Sequence, residues 1–259
     1  MDILALLSIS KIREHLPSEF SSMEIFYTES IDSTNTALKS LVEKESPTFP
    51  ILWVCDHQSS GKGTHGRSFF SPKNSGLYFS LFLPYAFRNC LGDLLTIRGA
   101  VALQRALETF VSDPIQIKWV NDLYVDSKKV AGILTEMVQD KSGIKGFVMG
   151  MGINFSQPKE PIPPELNPTF GFLHPQVDRN VALGKILPEI FHCLSLDSEE
   201  ILSVYRKNNV ILGKKVQFSI HNQSYIGFAK EIDSKGHLLV ESNGNIYTLS
   251  SGQATILWE

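Results

Sequence analysis

The chain of 259 residues is poor in cysteine and has no long apolar run. Its three cysteines, Cys55, Cys90 and Cys193, are an odd number and lie far apart in apolar surroundings, which favours buried free thiols over a disulfide framework or a metal site. No run reaches the roughly 18 apolar residues that a membrane-spanning helix needs. The first residues, Met1 to Ala5, lack the basic stretch of a signal peptide. These features predict a cytoplasmic protein.

An excess of basic charge is also missing. The sequence has 24 basic and 27 acidic residues, a net charge of −3, and no lysine- or arginine-rich run. Proteins that bind duplex DNA or a membrane surface usually carry such an excess, so we expect neither as a partner. His57 and His65 are too isolated to indicate a metal site. The sequence also has no Ser/His/Asp order and no paired-carboxylate pattern.

The most informative stretch is Gln58–Arg67, which mixes three glycines with two cations. Glycines let a backbone approach a ligand closely, and successive N–H groups can surround an anion. The glycine spacing resembles dinucleotide and phosphate-binding patterns, but both need a helix directly afterwards. Residues 71–76, Ser-Pro-Lys-Asn-Ser-Gly, break helices instead and exclude both patterns. We interpret the stretch as a loop for an anionic ligand, with a flexible glycine hairpin as the alternative.

Hydrophobic periodicity predicts an α/β (α+β) chain whose sequence pattern changes near its C-terminal end. Predicted strands are residues 24–28, 51–56, 77–83, 115–119, 123–125, 130–137 and 146–153. Predicted helices start at Asp32 or Ser33 and span 91–110, 181–194 and 198–208, with a surface loop over 155–177. From Gly213, polar and apolar residues alternate between turns predicted at His221-Asn222, Ser234-Lys235-Gly236 and Asn243-Gly244-Asn245, which indicates a small antiparallel barrel or sandwich. We therefore predict domains at 1–210 and 211–259.

Polar groups gather at the ends of three predicted elements: Ser33-Thr34-Asn35, Lys118–Asp122 followed by Lys129, and Gly150–Asn154. Each has a structural alternative: helix capping, a solvated hairpin lysine, and a close approach of strands at glycines. The tight spacing through residues 126–129 predicts a hairpin. If 115–119 and 130–137 pair as neighbouring strands, Lys129 returns near Asn121 and Asp122. The collected cations, amides and hydroxyls suit an anionic small molecule, such as a carboxylate together with a polyphosphate.

In order along the chain, these motifs resemble those of biotin–protein ligase. They are Ser33-Thr-Asn, Gln58-x-x-Gly-Lys-Gly-x-x-Gly-Arg, Lys118-Trp-x-Asn-Asp-Leu-Tyr-Val, Lys129-x-Ala-Gly-Ile-Leu-x-Glu and Gly-Met-Gly-Ile-Asn154. The resemblance implies a class II synthetase-like (biotin–lipoate ligase-like) mixed sheet flanked by helices, with a C-terminal SH3-like β-barrel. It also implies the monofunctional class, because no winged helix-turn-helix precedes the motifs.

The resemblance implies a reaction as well. Biotin's carboxylate attacks the α-phosphate of ATP to give biotinyl-5'-AMP, and a lysine of a biotin carboxyl carrier domain, as in acetyl-CoA carboxylase, then takes the biotinyl group. Mg²⁺ would enter with ATP, with no certain metal ligand from the protein and no tightly bound prosthetic group. Two alternatives stay open: a lipoate or octanoate ligase or transferase of the same fold, and a non-catalytic biotin-binding module.

The family match also assigns residues. Lys129 and Asp122 are the expected catalytic residues, Lys129 bridging carboxylate and phosphate and Asp122 serving the incoming lysine. Biotin and its adenylate are expected at Ser33, Thr34, Asn35, Gln58, Gly61, Lys62, Gly63, Thr64, Arg67 and Lys129. ATP is expected at Lys62, Arg67, Lys118, Asn121 and Asn154.

Five positions depart from the family pattern. Thr64 stands where arginine is common, Phe69 replaces tryptophan, and Val120 replaces proline. Asn74 replaces glycine, and Gln253 stands where glutamate is common. We hypothesise that Thr64 retains biotinyl-AMP less tightly than arginine would.

Overall fold

The computed structural model describes residues 5–87, 94–141, 143–220, 223–250 and 254–257. In these residues the α-helices are α1 Ile9–Glu14, α2 Thr34–Glu45, α3 Leu95–Glu108, α4 Arg179–Ser195 and α5 Ser198–Lys207. The strands are β1 Glu24–Ile31, β2 Ile51–Gln58, β3 Leu77–Pro84, β4 Gln116–Lys118, β5 Asp122–Val125, β6 Lys128–Asp140, β7 Gly143–Ile153, β8 Lys215–Ile220, β9 Gln223–Ile232, β10 Leu238–Ser242, β11 Asn245–Leu249 and β12 Ala254–Ile256.

Seven strands form one mixed sheet in the order β1-β2-β3-β7-β6-β5-β4. β1 and β2 run parallel, and the other neighbours are antiparallel. Its interior strand β3 is buried along its whole length, so its sequence is an almost unbroken apolar run. The predicted mixed sheet flanked by helices is confirmed.

The two faces of this sheet differ in side-chain size, because successive strand residues point to opposite faces. On β7, Met149 and Met151 approach Gly99 of α3. The alternating residues Gly150 and Gly152 face the other way, toward Asn35 of α2 and toward Phe69 respectively. One face therefore packs into the main core, while the other leaves room for a ligand.

The remaining strands form an antiparallel sheet in the order β11-β10-β9-β8-β12. Two of its predicted turns are present: Gly236 has φ 81° in the β9–β10 turn, and Asn243 and Gly244, with φ 50° and 77°, form the β10–β11 turn. This sheet is compatible with the predicted SH3-like domain. The boundary at residue 211 stays a prediction.

Most predicted elements are present, but one pairing is wrong. β5 lies between β4 and β6, so 115–119 and 130–137 are not neighbours. The hairpin over residues 126–129 is confirmed, with Asp126 and Ser127 at φ 46° and 63°. Predictions for Cys90, the start of the 91–110 helix, the His221–Asn222 turn and Gln253 fall outside the described residues. No helix in the described ranges is long and apolar enough to cross a membrane.

Candidate functional site

A cavity of about 290 Å³ lies on the small-residue face of the large sheet. Gly132, Gly150 and Gly152, on the adjacent strands β6 and β7, contribute to its lining. A Cβ at Gly150 would lie 2.1 Å from Asn35 Oδ1, and one at Gly152 would lie 2.5 Å from the Phe69 ring. These glycines therefore allow Asn35 and Phe69 to lie directly on the sheet. The close approach at the glycines is one of side chains on a sheet, not of strand on strand.

Polar side chains from the start of α2 form one wall. Ser33 holds the N-cap position of α2, but its side chain makes no capping hydrogen bond, so capping does not explain it. The Thr34 backbone N–H donates to Gln58 Oε1 at 3.0 Å, and Gln58 Nε2 donates to Ser71 Oγ at 3.0 Å. The end of β2 and the start of α2 are thus held together, with Ser33, Thr34 and Asn35 buried at the cavity.

The Gln58–Arg67 loop forms a second wall as a small folded hairpin. Lys62 and Ser68 form an antiparallel bridge, and Gly63 N–H donates to Arg67 O at 2.7 Å. Residues Thr64–Gly66 form a single 3-10 turn, in which His65 and Gly66 have φ 57° and 72°. The stretch is therefore a hairpin that lines the cavity, and its role as a loop for an anionic ligand stays a prediction.

Lys129 and Asp122 meet at the third wall. Lys129 Nζ lies 2.6 Å from Asp122 Oδ1 and 5.6 Å from the centre of the Phe69 ring. The Lys129 backbone is held by Thr169 O and by Gly171 N–H, which aims the side chain. The predicted proximity is confirmed, but it comes from the β5–β6 hairpin.

Lys118, on β4, is a half-buried cation whose Nζ lies 5.6 Å from the Tyr124 ring centre. Burial lowers the pKa of Lys118; the carboxylate of Asp122 opposes this, and the charges of Lys129 and Arg67 add to it. Burial also raises the pKa of Tyr124 to about 12, with Asp122 contributing. The site therefore concentrates positive charge that a bound anion would stabilise.

The cavity brings together most of the predicted site residues. They are Ser33, Thr34, Asn35, Gln58, Lys62, Gly63, Thr64, Arg67, Lys118, Asn121, Asp122 and Lys129. Gly61 and Asn154 do not line it. A Cβ at Gly61 would lie 2.4 Å from Phe69 O, so Gly61 permits the hairpin. Asn154 Nδ2 donates to the carbonyl oxygens of Lys129 and Gly171, so it supports the backbone beneath Lys129.

Sequence reasoning missed several contributors. Leu166 and Thr169 come from the proline-rich 155–177 loop, and Ala254 and Thr255 come from β12. Those segments carry no local signal for a ligand site. Ser80 had one: it is the only polar residue in the apolar run of β3, and its hydroxyl bonds to Thr34 and Asn35.

Metal binding has no protein ligand set in the described part of the chain. No group of three or more His, Cys, Asp or Glu side chains there could hold an ion. Asp122 is the carboxylate of the cavity lining, and it is paired with Lys129.

Comparison with known proteins explains this arrangement. A model of the biotin/lipoate A/B protein ligase family matches residues 27–154, a range that contains every predicted site residue. The chain belongs to this family. The bifunctional ligase/repressor BirA of Bacillus subtilis (strain 168) is 26% identical over 253 residues, covering 95% of this chain and 78% of that protein. The biotin–[acetyl-CoA-carboxylase] ligase of Mycobacterium tuberculosis is 24% identical, covering 87% and 86%.

Solved structures of the family share the fold. The biotin protein ligase from Aquifex aeolicus in complex with biotin and ATP aligns with a TM-score of 0.75 at 26% identity, covering 90% of this chain and 97% of that one. The biotin acetyl coenzyme A carboxylase synthetase from Helicobacter pylori with bound biotinylated ATP aligns with a TM-score of 0.65 at 21% identity. This second likeness supports the fold.

Proposed function

We propose that this protein is an ATP-dependent ligase that activates biotin to biotinyl-5'-AMP and transfers biotin to a lysine of a biotin carboxyl carrier domain. One observation carries the proposal: neutral hydrogen-bonding groups and four cations line a single cavity, in a chain that has the fold of the biotin/lipoate protein ligase family. The neutral groups are those of Ser33, Thr34, Asn35 and Gln58, and the cations are Lys62, Arg67, Lys118 and Lys129. This division suits a substrate with a polar uncharged ring at one end and a carboxylate at the other.

Activation joins two anions, so it needs compensating charge. A carboxylate oxygen of biotin forms a bond to the α-phosphorus, and the bond from that phosphorus to the β-phosphate breaks as pyrophosphate leaves. Lys129 holds the carboxylate against the phosphate, and Lys62, Arg67 and Lys118 stabilise the charge on the phosphate oxygens. Mg²⁺ enters with ATP as part of the substrate. Asn121 and Asn154 are proposed on the nucleotide side, Asn154 through the backbone that it supports.

The ion pair between Lys129 and Asp122 links the two half-reactions. Lys129 Nζ lies 2.6 Å from Asp122 Oδ1. When the anionic substrates draw Lys129 away, the Asp122 carboxylate becomes free to orient the incoming lysine and to accept its proton. A free lysine has a pKa of about 10.4, so the amine must lose a proton before it attacks the biotinyl carbonyl carbon and displaces AMP.

The proposal includes a carboxylase carrier domain as the partner and a cytoplasmic location. Two buried free thiols suit that location: burial raises the pKa of Cys55 to about 12 and that of Cys193 to about 11. The proposal includes neither DNA nor a membrane as a partner, in keeping with the net charge of −3.

The decisive test is incubation with ATP, Mg²⁺, biotin and an apo-carrier domain, followed by intact-mass measurement of the carrier. We expect a mass increase of one biotinyl group that depends on ATP. A parallel reaction with lipoate tests the second candidate, which shares the family; a lipoyl mass without a biotinyl mass would favour it. Tight biotin binding without carrier modification would instead indicate a non-catalytic module.

A further inference from the structure

Four side chains form a hydrogen-bonded series that runs from the far side of α2 to the cavity. Glu136 Oε2 accepts from Asn35 Nδ2 at 2.9 Å, and Asn35 Oδ1 lies 2.5 Å from Ser80 Oγ. Ser80 Oγ in turn lies 2.6 Å from Thr34 Oγ1, which belongs to a residue of the cavity lining. Glu136 and Ser80 themselves lie outside the lining residues.

Glu136 determines which group donates and which accepts in each hydrogen bond of the series. An ionised carboxylate can only accept, so the Asn35 amide must present its NH₂ group to Glu136. The same NH₂ group also faces the carbonyl oxygen of Leu134 at 3.3 Å. Asn35 Oδ1 is therefore turned toward Ser80 and takes the single hydroxyl hydrogen of that residue.

The consequence reaches Thr34. The Ser80 hydroxyl hydrogen is used in the bond to Asn35. In the 2.6 Å hydrogen bond between the Ser80 and Thr34 hydroxyls, Thr34 must therefore be the donor. Gln58 Oε1, at 3.2 Å, competes for the same hydrogen but is farther away and already receives the Thr34 backbone N–H. Thr34 Oγ1 then has no hydrogen left to donate, so it can act toward the cavity only as a hydrogen-bond acceptor.

Several features maintain this direction. Lys39 Nζ lies 2.7 Å from Glu136 Oε1. Burial by itself would raise the pKa of Glu136, but the hydrogen bonds from Lys39 and Asn35, with the charges of Lys39 and Lys62, lower it below its ordinary value. Ser80 is fully buried, and Gly150 leaves space for Asn35 Oδ1.

We infer that Glu136 and Ser80 are positioning residues that make Thr34 a hydrogen-bond acceptor, and that the site thereby selects a substrate ring carrying an N–H group. This inference rests on the proposed function, in which that ring is the cyclic urea of biotin. If the ring had an oxygen or sulfur atom in place of this N–H group, that atom would face Thr34 Oγ1, and both atoms would be acceptors. A buried lone pair would then remain without a hydrogen-bond donor.

The test compares biotin with cyclic carbamate analogues, in each of which one ring N–H is replaced by oxygen. Calorimetry measures the dissociation constants of biotin and of each analogue for the wild type, Ser80→Ala and Glu136→Leu. We expect the wild type to bind biotin about 100-fold more tightly than the analogue whose ring oxygen faces Thr34. This ratio corresponds to the free-energy cost of one unpaired buried acceptor. In Ser80→Ala the Thr34 hydroxyl can rotate and donate to the ring oxygen, so the preference should fall to about 10-fold or less.

Control variants distinguish an effect of the hydrogen-bonded series, here called the relay, from a packing defect. Glu136→Gln retains an oxygen that can accept from Asn35, so it should restore most of the preference that Glu136→Leu loses. Ser75→Ala removes a buried hydroxyl that donates to Pro72 O, away from the relay, and should keep the wild-type ratio. If Ser80→Ala weakens biotin and both analogues equally, the relay is refuted. If wild-type protein binds no biotin at all, the proposed function fails and the relay fails with it.

Discussion

At the scale of single residues, Lys129 is held in the site by three hydrogen bonds to its backbone. Its amide N–H donates to Thr169 O at 2.7 Å, and its carbonyl oxygen accepts from Gly171 N–H at 2.9 Å and from Asn154 Nδ2 at 3.2 Å. Its neighbour Lys128 is exposed, and its Nζ is 3.5 Å from Asn167 O. Two adjacent lysines thus have different environments, which makes them a matched pair for mutagenesis.

Lys129→Ala should slow biotinyl-AMP formation by on the order of 10²–10³, as expected when one donor to the transition state is lost. Single-turnover pyrophosphate release measures this step directly. Lys128→Ala should release pyrophosphate at a rate near that of the wild type. A near-wild-type rate for Lys129→Ala would remove Lys129 from the mechanism.

Thr64 combines a missing charge with a structural contact. Arg67 Nη2 donates to Thr64 Oγ1 at 3.2 Å, and Arg67 Nε donates to Thr64 O at 3.3 Å. Thr64 therefore helps hold the arginine of the hairpin, while it offers no charge to an acyl phosphate. The two properties can be separated by substitution.

Thr64→Arg should slow dissociation of biotinyl-AMP by about tenfold, since a hydrogen bond to a charged group contributes roughly 1.5–3 kcal/mol. Thr64→Val keeps the shape but removes the acceptor for Arg67, and should speed dissociation. Release of a labelled intermediate from the two variants and the wild type measures both effects. Equal rates for wild type and Thr64→Arg would refute the hypothesis.

At the scale of elements, the Gln58–Arg67 hairpin depends on close backbone packing. Phe69 N–H donates to Gly61 O at 2.8 Å, which closes the base of the hairpin below the Lys62–Ser68 bridge. A Cβ at Gly61 would meet Phe69 O at 2.4 Å and Ser71 Oγ at 2.7 Å. Because a backbone atom cannot move aside cheaply, the hairpin would have to shift.

Gly61→Ala should therefore raise the KM for biotin by about tenfold or more, because the hairpin wall moves away from the cavity. Ser60→Ala changes an exposed neighbour and should leave the KM unchanged. Steady-state kinetics at saturating ATP gives both values. A wild-type KM in Gly61→Ala would mean that the hairpin conformation does not shape the biotin site.

Elements also show what the sequence could and could not predict. Strong periodicity located β3, β6 and β7, and the ordered motifs collected most of the cavity lining. The four-residue strand β5 was recognised, but its place between β4 and β6 depends on long-range pairing. Asn154 was predicted at the ligand, yet its amide faces inward to two carbonyl oxygens. Thr169 and Thr255 come from segments whose location only tertiary packing decides.

At the scale of the whole molecule, a buried ion pair joins distant segments. Arg179 of α4 contacts Asp56 of β2 at 2.5 Å, and it also donates to the carbonyl oxygens of Gly76 and Ala5. Tyr27 donates to the same carboxylate at 2.5 Å. The N-terminal segment, two strands and α4 are thereby fixed behind the residues that lead into Gln58.

The C-terminal sheet is held against helices α3 and α5 and against Trp119, which follows β4. Trp119 Nε1 donates to Gly236 O at 2.9 Å, and Arg206 Nε donates to Ile232 O at 2.8 Å. Gly236 also packs on α3, where a Cβ would lie 2.4 Å from Ile97 Cδ1. Since Ala254 and Thr255 line the cavity, this packing places part of the site.

Gly236→Ala tests that coupling, and Gly244→Ala is its matched control. Both glycines have positive φ, 81° and 77°, but nothing lies within 4 Å of a Cβ at Gly244. Gly244→Ala should cost about 1 kcal/mol of unfolding free energy from backbone strain alone. Gly236→Ala adds a clash with the buried Ile97, so its cost should be larger by roughly 1–3 kcal/mol. Because Thr255 lines the cavity, its displacement should also raise the KM for a substrate of that cavity in Gly236→Ala only. Urea unfolding and steady-state kinetics measure the two effects, and equal values for the two variants would show that the C-terminal sheet does not help form the site.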